Sequence, residues 1–473
     1  MKRTYKLVVM CALIAALAAA GVYGAKRVRL AADAALYALP LVIMDLTREE
    51  MNLLTQKLIP ETAAPDAPYN RFFHMQALSN ASSRTVVLPN VDTIYSVAWL
   101  DLTAEPVLMR MPPSNGRYFM IQCMDAWTNV FTDPGVRTLG NNGATYAIVG
   151  PGWRGRLPEG VTRIQAPTRM VWILGRVYVR DQADLPGALV YQKQLDIRPL
   201  SRLNDAAFGS VYPDPKSPTV KRPVMMDILR KTASGAFFER FMKLTVANPA
   251  ATQDAQFIKE VLDPLGLSVG KPGAWKGIDF VNRCALAAGL KLVLHRLGNR
   301  SSIEQNNMVT PSGWSRPDGT FPMGSYGTNY RVRGAIAVWA LGANLRADAI
   351  YLNASTDGSG KRLEGSLKYT LTFGADGTPP ARGFWSITLY DDDGYLIENP
   401  IGKYAIKSGD NPVHESDGSL IFYLQPDDPG SARRANWLPT PAGKTYKLIL
   451  RAYWPTELML EGRWITPPVL PVK

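Results

Sequence analysis

The chain has 473 residues, of which 46% are hydrophobic and 20% charged. That balance excludes extensive disorder, and the length predicts two or three domains, not one core. The formal net charge is +13; Lys2, Arg3 and Lys6 precede an apolar run, so about +10 remains without them. No Lys/Arg run is long enough for a nucleic-acid stripe and no helix-turn-helix or zinc-finger spacing is present, so nucleic acid is not expected as a partner.

Met1 to Lys6 is a basic n-region, and Leu7 to Ala25 is uncharged and mostly apolar. Residues 1–25 therefore read as a signal peptide or membrane anchor, with Ala18, Ala19 and Ala20 as small residues for cleavage. Either way the remainder is expected outside the cytoplasm, touching a membrane only through residues 7–25 if these are retained. Cys11 lies in the apolar run; Cys123 and Cys284 lie in different segments and are expected as two buried free thiols.

An apolar helical stretch follows from Leu30 to Leu54, which Pro40 should end or kink near Leu39. From Thr85 the texture becomes β: Thr85–Leu88, Ile94–Leu100, Val107–Met111, Tyr118–Cys123, Tyr146–Val149 and Met170–Val179 read as strands. A Pro/Asp-rich connector spans 211–223. Met225–Val246 and Asp279–Leu297 then repeat apolar residues at helical spacing. Strands return at Leu367–Phe373, Gly383–Leu389, Leu420–Leu424 and Tyr446–Tyr453, separated by turns such as Asp376-Gly377 and Asp417-Gly418. The expected fold is mainly β with α insertions, an α+β architecture of antiparallel β-sandwich or jelly-roll-like domains joined by a helical segment. The expected boundaries are 26–210, 211–325 and 326–473.

Several motifs carry a resemblance. Val87-Leu88-Pro89-Asn90-Val91-Asp92-Thr93-Ile94-Tyr95-Ser96 is followed by Gly116-Arg117-Tyr118-Phe119, then Gln122, Asp125, Thr128-Asn129, Phe131 and Gly150-Pro151-Gly152-Trp153. This part resembles the bacterial domain of unknown function 1254. Leu363-Glu364-Gly365-Ser366, Gly383-Phe384-Trp385-Ser386, Glu398-Asn399-Pro400, Asn436-Trp437-Leu438-Pro439, Arg451-Ala452-Tyr453-Trp454-Pro455 and Glu461-Gly462-Arg463-Trp464 resemble its usual partner, the domain of unknown function 1214. Tyr326, Asn329-Tyr330 and Asn344 fit the lead-in to that domain. The resemblance implies a β-rich architecture with a helical insertion and brings no mechanism with it.

The polar residues offer two readings. Asn90 and Asp92 share a strand face, and with Gln122 they line a concave surface if that face is open. Asp92 and Asp125, with Tyr95 beside them, would then suit acid/base work on a carbohydrate or a small organic acid. Asn90, Gln122, Asn129, Tyr326, Arg333 and Trp385 are the expected ligand contacts. Against this stands the ordinary use of Asn and Asp as turn caps. The second reading is a non-catalytic ligand-binding or surface-assembly protein, possible also as a homo-oligomer, whose sandwich presents Trp437, Trp454 and Trp464. Asp391-Asp392-Asp393-Gly394 lacks the ligand spacing of a calcium loop, and His74, His295 and His414 lack zinc spacing. With no phosphate loop or dinucleotide fingerprint, no cofactor or metal is expected.

Overall fold

In the first β domain the apolar alternation of the sequence is realised as two facing sheets. The computed structural model describes residues 2–58, 69–84, 88–213, 224–298, 307–317 and 321–472, with side chains of the N-terminal helix from Gly21 to Leu53. Residues 85–87 of the expected strand over 85–88 and most of the 211–223 connector lie outside these residues.

The first sheet is antiparallel, in the order β1 (Phe73–His74), β2 (Thr93–Asp101), β8 (Met170–Tyr178), β4 (Phe119–Asp125), β5 (Val130–Thr132). The second sheet runs β7 (Thr162–Gln165), β6 (Ala144–Val149), β3 (Val107–Met111), β9 (Asp196–Pro199), with β6 and β7 parallel. Successive side chains point to opposite faces. Ile94, Ala98, Ile121, Cys123, Ile173 and Val177 thus meet Met109, Ile148 and Ile197 of the second sheet in one core.

The other face of the first sheet is divided along its length. Val97, Trp99, Met124, Trp172 and Leu174 lie against the helices, with Trp99 stacked on Trp172 at 5.2 Å. Tyr95, Gln122 and Arg176 occupy the same face toward the end where Asp92 enters β2. The second β domain meets this end. It pairs a sheet in the order β10 (Asn307–Val309), β11 (Ser315–Pro317), β12 (Ala349–Ala354), β18 (Lys447–Pro455), β14 (Ala381–Tyr390), β15 (Ala405–Lys407) with a sheet in the order β17 (Trp437–Pro439), β16 (Leu420–Gln425), β13 (Tyr369–Phe373), β19 (Val469–Pro471). Leu352, Trp385, Ile387, Leu389, Leu448 and Leu450 from one sheet pack on Leu371, Phe373, Phe422 and Leu424 from the other. The fold is α+β, with a sandwich in the C-terminal half and a helical segment between the two β parts.

The helical layer corrects three expectations. Helix α1 spans Lys2–Leu58 and continues through Pro40 instead of ending at it. Pro40 cannot donate to the carbonyl of Leu36, and a proline ring crowds that position. A neighbouring helix packs closely at that turn. α5 (Tyr330–Trp339) presents Gly334, where a Cβ would lie 2.6 Å from the Leu36 oxygen, so only glycine permits the approach. α4 (Phe280–Gly298) uses Gly289 in the same way against the backbone of Ala31 and Ala32. Ala31, Ala34, Ala35 and Ala38 of α1 are fully buried in the core they form. The expected helix over 225–246 is two, α2 (Met225–Lys231) and α3 (Ser234–Ala247), and α3 buries Phe237, Phe238 and Phe241 against α1. α5, expected within a jelly roll, belongs to this helical layer. The layer therefore draws on three separated stretches of sequence.

α1 is also the one described helix apolar and long enough to cross a membrane, over Gly21–Leu53, but 78% of its most apolar window is buried in the protein. That segment is a core helix. The apolar run before it continues the same helix, in line with a signal or anchor upstream of the folded body.

Candidate functional site

Leu88 to Asp92 forms a strap that lies across the outer face of the C-terminal sandwich. Leu88 takes a left-handed φ of 55°, and its N–H donates to the Gly394 carbonyl at 2.8 Å. Its own carbonyl accepts from Arg451 Nη2 at 3.1 Å, and the Pro89 carbonyl accepts from the Tyr390 hydroxyl at 2.6 Å. Asn90 Nδ2 donates to the Tyr453 hydroxyl at 2.5 Å, while its Oδ1 accepts from the Asp92 amide. The Val91 carbonyl accepts from Lys407 Nζ at 2.7 Å. Asp92 is fully buried: Oδ2 accepts from Ser386 Oγ at 2.6 Å, and Oδ1 stands 3.8 Å from Lys407 Nζ. Asn90 and Asp92 are therefore occupied in joining the two β domains.

Behind the strap the two sheets confront each other with polar side chains. β2, β8 and β4 contribute Tyr95, Arg176 and Gln122; β12, β14 and β18 contribute Tyr351, Thr388, Arg451 and Tyr453. Arg451, buried, donates to Thr388 Oγ1 at 3.0 Å and to the Tyr390 hydroxyl at 2.7 Å. Burial pushes the Tyr351 hydroxyl up and the Tyr453 hydroxyl well up, so both remain protonated donors across the physiological range. Arg176 is 6% exposed, donates Nη1 to Gln122 Oε1 at 3.0 Å and lies 5.4 Å from the Tyr95 ring centroid. Gln122 Nε2 in turn donates to the carbonyls of Gly342 and Ala343 at 3.2 and 2.9 Å. Asn344 Nδ2 donates to the Tyr351 hydroxyl at 2.6 Å, leaving its buried Oδ1 without a partner. Tyr95 and Tyr351 are only half-buried. Among the described residues neither Arg176 nor Arg451 has a carboxylate within ion-pairing distance.

Asp125 belongs to a different place. The Asp92 carbonyl accepts from Val179, whereas Asp125 is the β partner of Val171. Eight residues of strand separate those positions, about 26 Å at ~3.3 Å per residue. Paired glycosidase carboxylates stand roughly 5–9.5 Å apart, so Asp92 and Asp125 do not form such a pair. Asp125 caps its own turn: Oδ1 accepts from the amides of Trp127 and Asn129 at 2.9 Å each, and Oδ2 accepts from Asn129 Nδ2 at 3.1 Å. Burial raises its carboxyl to about 6 in spite of those bonds. Asn129 Oδ1 also accepts from the Tyr326 amide at 3.4 Å.

Arg333 lies beside that turn. Its guanidinium carbon sits 5.2, 5.4 and 5.1 Å from the ring centroids of Tyr37, Trp127 and Tyr330, and its Nε and Nη2 have no hydrogen-bond partner. The hydroxyls of Tyr37 and Tyr330 both donate to Asp254, at 2.9 Å each. The structure thus brings Asn90, Asp92, Tyr95 and Gln122 together in one region, and Asp125, Asn129, Tyr326 and Arg333 in another.

Trp385 joins neither. It is one position from Ser386, so the pleat turns its indole into the sandwich core against Phe373 and Phe422. An exposed tryptophan row is likewise not found: Trp437 is 4% exposed with its indole N–H on the Gln425 carbonyl, and Trp464 stacks on Phe373. His74 is buried, its Nδ1 2.8 Å from Ser96 Oγ, and burial lowers it to about 4. Cys123 is buried as expected, but Cys284 is exposed; both thiols are free. No group of three metal-ligating side chains occurs among the described residues.

Arg176, Ser386 and Lys407 were not among the residues expected at a site. The signal for Arg176 is in the sequence: it is the single charge in Met170–Tyr178, a strand otherwise buried on both faces. Ser386 and Lys407 act through pairings that no local pattern announces.

The convergence of these two sets of motifs decides the comparison. Residues 69–199 match the family model described as a protein of unknown function, DUF1254, and residues 348–457 match the corresponding DUF1214 model. The chain pairs a DUF1254 domain with a DUF1214 domain. The strap is DUF1254 sequence, and the sheet face that receives it is DUF1214 sequence. The crystal structure of the VPA0106 protein from Vibrio parahaemolyticus aligns with a TM-score of 0.68 at 22% identity, over 94% of this chain and 100% of that one, and has the same fold. An uncharacterised protein from Burkholderia cenocepacia aligns over 96% of each chain with a TM-score of 0.44 and 12% identity. No curated protein matches the chain.

Proposed function

We propose that this is an extracytoplasmic ligand-binding protein that takes a small organic acid between its two β domains, with Arg176 as the group that holds the carboxylate. One observation carries the reading: a buried guanidinium with no carboxylate partner among the described residues, 5.4 Å from the half-buried Tyr95 ring and with half-buried Tyr351 as an electrostatic neighbour. A buried charge is stable only when paired and hydrogen-bonded. A carboxylate matches a guanidinium in both charge and shape. Tyr351 and the Asn344 amide add a protonated hydroxyl and an unpartnered acceptor for a hydroxyl on the ligand. The groups gathered there donate hydrogen bonds, which suits holding an anion better than abstracting a proton. The basic n-region and the apolar run to Ala25 support placement outside the cytoplasm.

The test is a thermal-shift and calorimetric titration of the full chain with acetate, lactate, succinate and benzoate. A ligand at 100 times its Kd adds about 2.7 kcal/mol to the native state, and the midpoint should rise for at least one acid. Arg176→Met should remove the response while leaving the unliganded midpoint unchanged or higher. If no acid shifts the midpoint, or the variant still responds, the reading is wrong.

A further inference from the structure

A separate cavity of about 240 Å³ opens where α1, α5 and Phe257 meet, lined by Asp33, Leu36, Phe257, Thr328, Asn329, Tyr330 and Arg331. The rings of Phe257 and Tyr330 lie 4.3 Å apart at 51° and form its aromatic wall. Their positions are fixed from behind. The Tyr330 hydroxyl is tied to Asp254, and Phe257 stacks on Tyr37 at 5.1 Å. Across the opening, Arg331 Nη2 donates to Asp33 Oδ1 at 3.0 Å. Arg331 keeps 68% of its side-chain surface exposed and Asp33 25%, so both heads remain reachable from solvent. Asn329 Oδ1 accepts from the Val332 amide as the cap of α5, which leaves its amide hydrogens for another partner.

From this arrangement we infer that the cavity is a binding site for a single neutral pyranose ring. A flat C–H face packs against aromatic rings, as Phe257 and Tyr330 provide. A neighbouring pair of hydroxyls both donates and accepts, which fits an acid beside a guanidinium: one hydroxyl donates to Asp33 while the next accepts from Arg331. A carboxylate ligand would gain Arg331 but face Asp33, so the mouth selects against an acid. The volume lies below the ~300 Å³ at which drug-sized ligands begin, so one ring fits and a longer oligosaccharide does not. The site is independent of the inter-domain anion site and shares no residue with it.

The experiment is saturation-transfer NMR on the full chain, held in a detergent without a sugar headgroup, with the methyl pyranosides of glucose, galactose and mannose as probes. Irradiation of the aromatic region should transfer to ring protons of at least one pyranoside. Arg331→Ala, a substitution at an exposed side chain, should weaken that binding at least tenfold with an unchanged thermal midpoint. Asp33→Asn should weaken it as well. Absence of transfer to all three pyranosides overturns the inference, as does undiminished transfer in Arg331→Ala.

Discussion

Asp92→Asn separates a structural from a catalytic carboxylate. The substitution keeps the shape and the acceptor for Ser386 Oγ, and removes only the charge facing Lys407. At 3.8 Å two unit charges attract by about 4 kcal/mol at an effective dielectric of 20. Lys407 retains the carbonyls of Val91 and Val179, at 2.7 and 3.3 Å, so not all of that attraction is lost. Leaving one member of a buried pair uncompensated costs roughly 3–5 kcal/mol, and the retained carbonyls put this case near ~3 kcal/mol. With a urea m-value of about 3 kcal/mol/M, the midpoint should fall by about 1 M. Asp92→Asn combined with Lys407→Met should recover most of the loss, because the second change removes the stranded cation. An unchanged urea midpoint for Asp92→Asn would refute the view of this carboxylate as a clamp between domains.

Three further outcomes follow from the packing. Asp348, at the start of the C-terminal sandwich, and Asp133 of the first β domain share the Arg137 guanidinium, which donates to Asp348 at 2.7 Å and also to Asp133. Burial, then the facing Asp133, raises the Asp348 carboxyl to about 7, so the folded protein holds a proton that the unfolded chain releases near its ordinary 3.8. Stability from this group is present at low pH and is lost as pH rises through 7. His74, lowered by burial to about 4, acts in the opposite direction only up to its unfolded value near 6.5. Chemical denaturation between pH 6.5 and 8 should therefore show falling stability in the parent and a flatter profile in Asp348→Asn. Gly334→Ala should cost roughly 1–3 kcal/mol despite the better helix propensity of alanine, since the new Cβ meets the Leu36 carbonyl; calorimetry would read it. Trp385→Ala should lower stability by roughly 3–5 kcal/mol and leave organic-acid binding intact, a combination that a ligand-contacting tryptophan could not give.

Where the sequence pattern was local, it was legible. Val107–Met111 matches the structure residue for residue, and Met170–Val179, Ile94–Leu100 and Leu420–Leu424 differ from the observed strands by one residue at an end or at both. Short strands such as Thr162–Gln165 and Asp196–Pro199 have too few apolar residues to show a period and exist because a neighbour pairs with them. The close packing on α1 beside Pro40 depends on Gly334, almost 300 positions away. Asn90 and Asp92, expected on one strand face, lie instead in the strap before β2 and meet the C-terminal domain, while Tyr95 and Gln122 share a face of the first sheet. Asp125 was misplaced because chain proximity to Gln122 hides the length of β4: three residues further along that strand lies the far end of the sheet.

The inter-domain layer can be ranked by what each charged group still lacks. Arg451 has a carbonyl and two hydroxyls, Lys407 has two carbonyls and a facing carboxylate, and Asp92 has that ammonium and a serine hydroxyl. Each therefore takes at least one partner across the domain contact, although Asp92 Oδ1 faces Lys407 without a hydrogen bond of its own. Arg176 differs: its oxygen partners are neutral, the Gln122 amide at 3.0 Å and the Tyr95 hydroxyl, and Tyr95 and Tyr351 beside it are only half-buried. Under the proposed reading a charge without a counter-charge is where an anion gains binding free energy, whereas a ligand competing for Asp92 would first have to break the strap. On that proposal the functional experiments belong at Arg176 and its tyrosines, and substitutions in the strap report on assembly.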